Sequence, residues 1–273
     1  MRLFVAGLRK LIRRPATWVT FGMLAGLMSL IFIAVGSTAD RFSDEPERAA
    51  ALALVTFPGA YDGVLNFLLG LGGLLAVIYG AAVAGSEWTW GTFKNAVARG
   101  EGRARYLVVS FAAVSVLLAA GVLLAFAIGV GAALIGATLA SVPTTGLGDA
   151  AALGGLPEKL LRGWVAIVEQ GALGFAIATL ARSQLAGIGA GIAVYFAEQF
   201  STIFFPDIVK YLPFNAAQAV VDLSSAGGFG GGDRGPALAE RLAPDVALTV
   251  VVLWLLGATV VGALSAERAE ITG

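Results

Sequence analysis

The 273-residue chain contains no cysteine and no histidine, and only 13% of its residues are charged. The missing thiols exclude disulfides and cysteine nucleophiles, and the missing imidazoles exclude histidine-ligated metals and Ser-His dyads. No GxxxxGK[ST] segment occurs either, so the chain has no P-loop with which to cradle nucleotide phosphates. Any ATP chemistry therefore belongs to another polypeptide. Nothing in the sequence calls for a cofactor, a metal ion or nucleic acid. One enzymatic pattern survives these exclusions. Tyr61-Asp62 and the Gly146-to-Asp149 segment look like the YD and GxGD pairs of intramembrane aspartyl proteases, in which two carboxyls share a proton and activate water. Asp62 falls at the edge of an apolar block and Asp149 in a Pro/Thr/Gly loop, so both are expected to be solvated loop residues.

What the chain has in place of charge is hydrocarbon: 58% of its residues are hydrophobic. A soluble domain carries roughly a quarter charged residues. The apolar residues come in blocks of the length, about 20 residues, that a helix needs to cross a hydrocarbon core of about 30 Å. We read six spans, at 17–36, 64–86, 106–128, 162–181, 185–205 and 245–265, and expect an all-α polytopic membrane protein. The third block runs on to residue 140, too short for two spans with a turn, and is read as one long tilted helix. A cleaved signal peptide is the alternative for the first block. Its apolar run of about 20 residues is longer than the roughly 7–15 of a signal core.

The bases set the orientation. With six spans and both termini inside, eleven of the eighteen Lys and Arg residues fall on the cytoplasmic side, whereas only four of the eighteen acids do. The remaining acids lie outside, except for Glu169 and Glu198 within spans. Residues 1–16 come before the first span as an amphipathic helix: Phe4, Leu8, Leu11 and Ile12 share one face, while Arg2, Arg9, Lys10, Arg13 and Arg14 occupy the rest. Pro15 ends it. Residues 17–273 form a single transmembrane domain. Within it, 206–223 is too broken by Pro206, Asp207, Lys210 and Pro213 to span and too apolar for a free loop. It reads as short re-entrant helices on the outer side. The glycine-rich stretch 224–236 reads as flexible linker, and Gly187 and Gly191 form a GxxxG that permits close helix approach.

Between spans two and three, residues 87–105 interrupt the apolar pattern with Glu87, Trp88, Trp90 and a run of bases. The tryptophans suit headgroup depth. Thr92 to Arg99 allows about two helical turns, and Gly100 and Gly102 free the backbone to turn into the third span. The result is a short cytoplasmic helix strapped between two transmembrane helices. Composition alone also permits a solvated loop whose bases only set topology. For Glu87 it leaves helix capping or pairing with Arg103 or Arg105 open.

The order Glu87, Gly91-Thr92-Phe93-Lys94-Asn95, Gly100-Glu101-Gly102-Arg103 and Tyr106-Leu107 resembles the E…GT-hydrophobic-KN…(P/G)xxR…YL pattern of ABC-2 type transporter permeases, the bacitracin-export-like branch in particular. Gly100 stands where that family often has proline, and Ser110 where a lysine commonly opens the third span. The amphipathic start, the six spans and the YLP-containing segment before the last span extend the resemblance over most of the chain. It implies the permease half of a type V-like ABC exporter in a bacterial or archaeal cytoplasmic membrane. Such a permease pairs with a second permease subunit, identical or similar, and docks two ATP-binding subunits that hold ATP and Mg. It also implies an ATPase-coupling interface made by Gly91, Thr92, Lys94, Asn95, Arg99 and Arg103, with Glu87 at its membrane edge and the N-terminal helix, with Arg9, Lys10 and Arg13, as an elbow. The expected cargo is hydrophobic or amphipathic: a drug, a peptide antibiotic or a lipid.

Glu169-Gln170 and Glu198-Gln199 are the sharpest internal oddity, because carboxylates within spans are costly and mark a pathway or a partner by default. Each glutamate lies seven residues inside the outer end of its block, about 10 Å deep at 1.5 Å per residue. We expect these four residues, with Asn66 and Tyr195 as weaker candidates, to line an exit route or outer gate. Interhelical hydrogen bonding for structure alone is the other reading. An ion-coupled secondary transporter using Glu169 and Glu198 is the competing function, and a non-transport membrane scaffold a third.

Overall fold

The structure is a computed structural model that describes residues 2–41, 44–223 and 241–269. The stretch 224–236 read as linker lies outside the described residues. Every regular element among the described residues is helical, and five helices are long and apolar enough to cross a membrane. The amphipathic α1 (Arg2–Ile12) stops ahead of Pro15, which opens α2 (Pro15–Thr38) at the position where a missing N–H costs nothing. After α3 (Glu45–Ala53), the second apolar block begins earlier than its hydropathy suggests. α4 (Gly59–Phe67), a π-helical turn at Leu68–Gly72 and α5 (Gly73–Thr89) run on as one 31-residue helix.

The short α6 (Thr92–Ala98) leads into α7 (Arg103–Leu139), a single unbroken helix of 37 residues. At 1.5 Å per residue it is about 55 Å long, well over the hydrocarbon thickness. α8 (Ala150–Ala181) returns beside it, starting twelve residues ahead of the apolar block and carrying Pro157 at the start of its third turn. α9 (Gln184–Ser201) is shorter and is not among the five. α10 (Pro206–Val209) and α11 (Pro213–Ala219) are the two short helices of the broken segment, and α12 (Pro244–Glu267) closes the chain.

Burial separates two central helices from three peripheral ones. Within their most apolar windows the α4–α5 helix is 72% buried and α8 67%, against 17% for α2, 28% for α7 and 22% for α12. The peripheral helices show leucines, valines and isoleucines to their surroundings, as lipid-facing helices do. α5 and α8 form the most extensive pairing in the fold. Small residues make it possible. A Cβ on Gly80 would overlap the carbonyl of Gly171, and one on Gly174 the carbonyl of Val77, so the two backbones touch directly. The GxxxG of α9 works the same way with two partners: Gly187 lies against Ala178 of α8, and Gly191 against the Val77 side chain of α5.

Residues 44–63 are not a free loop. Val55, Phe57, Ala60 and Tyr61 are buried against α2 and α7 in a core with Met28, Phe32, Phe126 and Ala133. The two aspartates expected to be solvated part company here. Asp149 is exposed and caps α8 by accepting from the Ala152 N–H at 2.8 Å. Asp62 is 8% exposed, sits within α4, and pairs with Lys159 of α8 at 2.5 Å. The apolar packing of α4 carries Asp62 inward, and Lys159 follows it as counter-ion. Tyr61 does reach the glycine-rich segment, donating to the Leu147 carbonyl at 2.7 Å. The carboxyls themselves have separate partners, as a proton-sharing pair would not.

The broken segment is docked, not free. α11 buries Pro213, Phe214, Ala216 and Ala217, and its core includes Leu69, Ala166 and Val251. Ala166 and Val251 lie about 6 and 9 Å along their helices from Arg162 and Asp245, which pair at 2.7 Å and join the start of α12 to α8.

The α5–α8 contact yields the first prediction. Gly174→Leu forces a side chain into the Val77 backbone, so it should destabilise the fold by about 1–3 kcal/mol or prevent assembly. An equally apolar change at Gly257, which has open space around it, should leave thermal unfolding in detergent unchanged.

Candidate functional site: a buried carboxylate beneath an exposed helix

Glu87 lies in the last turn of α5 and is 3% exposed. Lys10 of α1 donates to both of its oxygens, at 2.6 and 2.9 Å. Arg14, between α1 and α2, donates to Glu87 Oε1 at 3.1 Å and to the Ser86 hydroxyl at 2.8 Å. Thr92 of α6 donates to Oε2 at 2.5 Å, and the Tyr106 hydroxyl of α7 donates to the same oxygen at 2.8 Å. One carboxylate therefore joins α1, the entry to α2, α6 and α7 to the end of α5.

Its partners are not those that spacing alone suggested. Arg103 turns away to α12, donating to the carbonyls of Glu267 and Ala269 at 3.0 and 2.9 Å, where a cation suits a helix C-terminus. Arg105 is exposed and lies 3.9 Å from Glu101. Spacing within 87–105 could not show that α1 folds back under α5. The signal that was present is the pair of bases Lys10 and Arg14, which the sequence sets next to the apolar Phe4, Leu8 and Leu11 that pack on the core.

α6 is held from below by an aromatic clamp. Phe93 is fully buried, 4.5 Å between ring centroids from Trp88 and 5.9 Å from Tyr106. Gly91 and Gly100 bracket the helix at φ +67° and +89°, left-handed conformations that glycine adopts without strain. Arg14 lies over the Trp90 ring at 5.2 Å and Arg182 over Trp88 at 5.6 Å, within cation–π range. With its apolar side pinned, α6 presents Lys94, Asn95, Ala98 and Arg99 outward.

The residues expected at a coupling surface thus divide into three groups. Glu87, Lys10 and Thr92 form the internal lock. Lys94, Asn95 and Arg99 line the exposed face of α6, with Gly91 at its turn, while Arg9 and Arg13 are exposed on and just after α1. Arg103 belongs to the α7–α12 junction. Tyr106, Ser86, Arg14 and Phe93 complete the site.

The second group of candidates lies deeper. Glu169 of α8 is fully buried, and neither of its oxygens has a hydrogen-bond partner. Glu198 of α9 is 3% exposed and accepts the Phe214 and Asn215 N–H groups at 3.1 and 3.0 Å, so it holds the start of α11. Tyr195 packs edge-on against Phe214, at 5.1 Å between centroids. Gln170 points elsewhere: its Oε1 fills the space a Cβ on residue 73 would take, just past the π-helical turn. Gln199 and Asn66 are half-buried, and the Gln199 amide nitrogen has no partner. None of these six residues lines the cavity of about 290 Å³ between α2, α5 and α7.

Removing the charge at the lock leaves Lys10 and Arg14 uncompensated. Glu87→Gln should therefore lower stability by about 3 kcal/mol, the scale for breaking one side of a buried pair. Tyr106→Phe, which removes one donor, should cost about 1–2 kcal/mol. Thermal unfolding of the reconstituted protein reads both, and equal stability of all three proteins would refute the lock.

Set against protein-family models the sequence matches no family, and set against curated proteins it matches none.

Proposed function

We propose that the chain is the transmembrane permease subunit of an ATP-driven exporter. In this reading α9 is a sixth span, both termini are cytoplasmic, and α10–α11 are re-entrant from the outer side. Two separate subunits hydrolyse ATP with Mg, a second permease completes the pathway, and the cargo is hydrophobic or amphipathic. The assembly sits in a bacterial or archaeal cytoplasmic membrane. The observation that carries this reading is the seating of α6: a short, outward-facing polar helix bound below by Phe93 and Glu87 to four other segments. A soluble motor needs such a rigid handle. A solvated topology loop needs no buried carboxylate with donors from four segments. The pattern from Glu87 to Leu107 resembles that of ABC-2 permeases and supports the same reading.

Because the chain has no cysteine, single-cysteine variants test it directly. Lys94→Cys and Asn95→Cys should cross-link in native membranes to a companion subunit carrying a P-loop, present in stoichiometric amount in the purified complex. A cysteine in place of Leu253, exposed midway along α12, should not. A complex without an ATP-hydrolysing companion, or one whose companion binds away from α6, overturns the exporter.

The unpartnered Glu169 favours one competing reading, an ion-coupled transporter that carries protons on Glu169 and Glu198. Glu169→Gln and Glu198→Gln separate the two. Under the exporter reading, transport persists with ATP as its only energy source, and Glu198→Gln loosens α11. Under the ion-coupled reading, transport runs without ATP and stops in Glu169→Gln.

A further inference from the structure

The walls of the cavity between α2, α5 and α7 share no residue with the coupling site or with the two buried glutamates, although Arg9 and Arg13 at its α1 end are among the residues expected at the coupling surface. We propose that it is a binding site for one acyl chain of an anionic phospholipid, drawn from the leaflet in which α1 lies. The inference requires only that the chain resides in a membrane, and it stands or falls apart from the exporter reading.

Shape gives the first reason. The cavity measures about 290 Å³, the lower end of the range for small-molecule sites. It follows α5 from Tyr79 back into the π-helical turn at Leu68, and α2 from Thr17 to Leu24, about 16 and 10 Å at helical rise. Half of a hydrocarbon core of about 30 Å is about 15 Å. The cavity thus extends from the α1 end of the bundle over the depth of one leaflet. Trp18 and Leu124 on its rim are 58% and 56% exposed, so it opens sideways to whatever surrounds the peripheral helices.

Chemistry gives the second. Thr17 donates to the Leu11 carbonyl at 2.7 Å, which leaves the Tyr79 hydroxyl to donate to the Thr17 oxygen at 2.9 Å, so both protons are engaged. The Trp18 indole N–H is taken by the Ile12 carbonyl at 2.8 Å. Apart from Thr20, the rest of the wall has apolar side chains. Such a space excludes water and takes hydrocarbon.

Charge selects the headgroup. Ile12 lines the cavity at the end nearest α1 and is followed by Arg13, with Arg9 one turn earlier. Both arginines are exposed, and neither has an ion pair among the described residues, whereas Lys10 and Arg14 are occupied by Glu87. Unpaired bases at a bilayer surface attract anionic lipids, at about 1 kcal/mol per base. A phosphate beside Arg9 and Arg13 with its chain between α2 and α7 satisfies both ends of one lipid.

The test uses the full chain in phosphatidylcholine nanodiscs doped with a phosphatidylglycerol whose acyl chain bears a diazirine. After illumination, label should concentrate on residues 17–24 and 117–124. Gly121 faces open space, so Gly121→Leu should fill the cavity and remove that label without lowering the melting temperature. Ala120→Phe, at the exposed rim, should do the same if Gly121→Leu misfolds. Arg9→Gln and Arg13→Gln should each reduce phosphatidylglycerol labelling about fivefold, with labelling by a phosphatidylcholine probe little changed. Label spread evenly over the exposed faces of α2, α7 and α12 overturns the site, and equal labelling by the two probes overturns the headgroup. A Leu124→Cys variant that forms a disulfide-linked dimer and loses label would give the cavity to a second copy.

Discussion

A carboxylate taken out of water at a membrane surface must be met by opposite charge and by donors, or it destabilises what holds it. Glu87 is met by Lys10, Arg14, Thr92 and Tyr106. The first two come from the start of the chain and the last from the far side of α6. These contacts decide where α1 lies, how α5 ends and how α7 begins. They also explain the aromatic character of the segment around Glu87. Trp88, Phe93 and Tyr106 pack on one another beside the buried Glu87, and around a buried carboxylate each hydrogen bond is stronger and each missing partner costs more.

The contrast with Glu169 sharpens this. Both glutamates are buried on the two central helices, yet one has five donated bonds and the other has none. Buried polar groups in native proteins are nearly always paired, so an unpaired one calls for a reason beyond stability. Glu198 supplies a partial context. It belongs to the docking of α11, whose core includes Ala166 of α8. Near α11, Glu198 is thus committed to structure and Glu169 is left over, whereas near α6 Glu87 is fully committed.

The fold was legible in the sequence wherever it depended on local pattern. The apolar face of α1, the stop at Pro15, the unbroken third block and the two turns of α6 between glycines all follow from composition along a few residues. What was not legible depended on which helices meet. The 31-residue helix from Gly59 to Thr89 begins among residues that read as loop, because Ala60, Tyr61 and Val64 find a core only once α2 and α7 are in place. Asp62 is carried inward for the same reason, and Lys159 shows its purpose only across the α4–α8 contact. Arg103 stood in the right segment, but its acceptors are carbonyls more than 160 residues away. The density of small residues was visible; their pairing as Gly80 with Gly171 and Gly174 with Val77 was not.

These two kinds of contact give the bundle a mechanical division. Backbone touching backbone makes α5 and α8 a stiff centre, since such packing has no side chains to rearrange. At the α6 end the outer helices are fastened by polar bonds: α2 through Arg14, α7 through Tyr106, and α12 through Arg103. Hydrogen bonds and ion pairs at a partly hydrated end can exchange partners, whereas glycine contacts deep in the bundle cannot. A force applied to α6 therefore acts on the end of α5 and the start of α7 together, through Phe93 and Thr92. In the proposed exporter the response would be a tilt of the peripheral helices about that centre. The exporter proposed above would use that partition between a fixed axis and its walls, and the polar contacts from Lys10 to Tyr106 lie where the two meet.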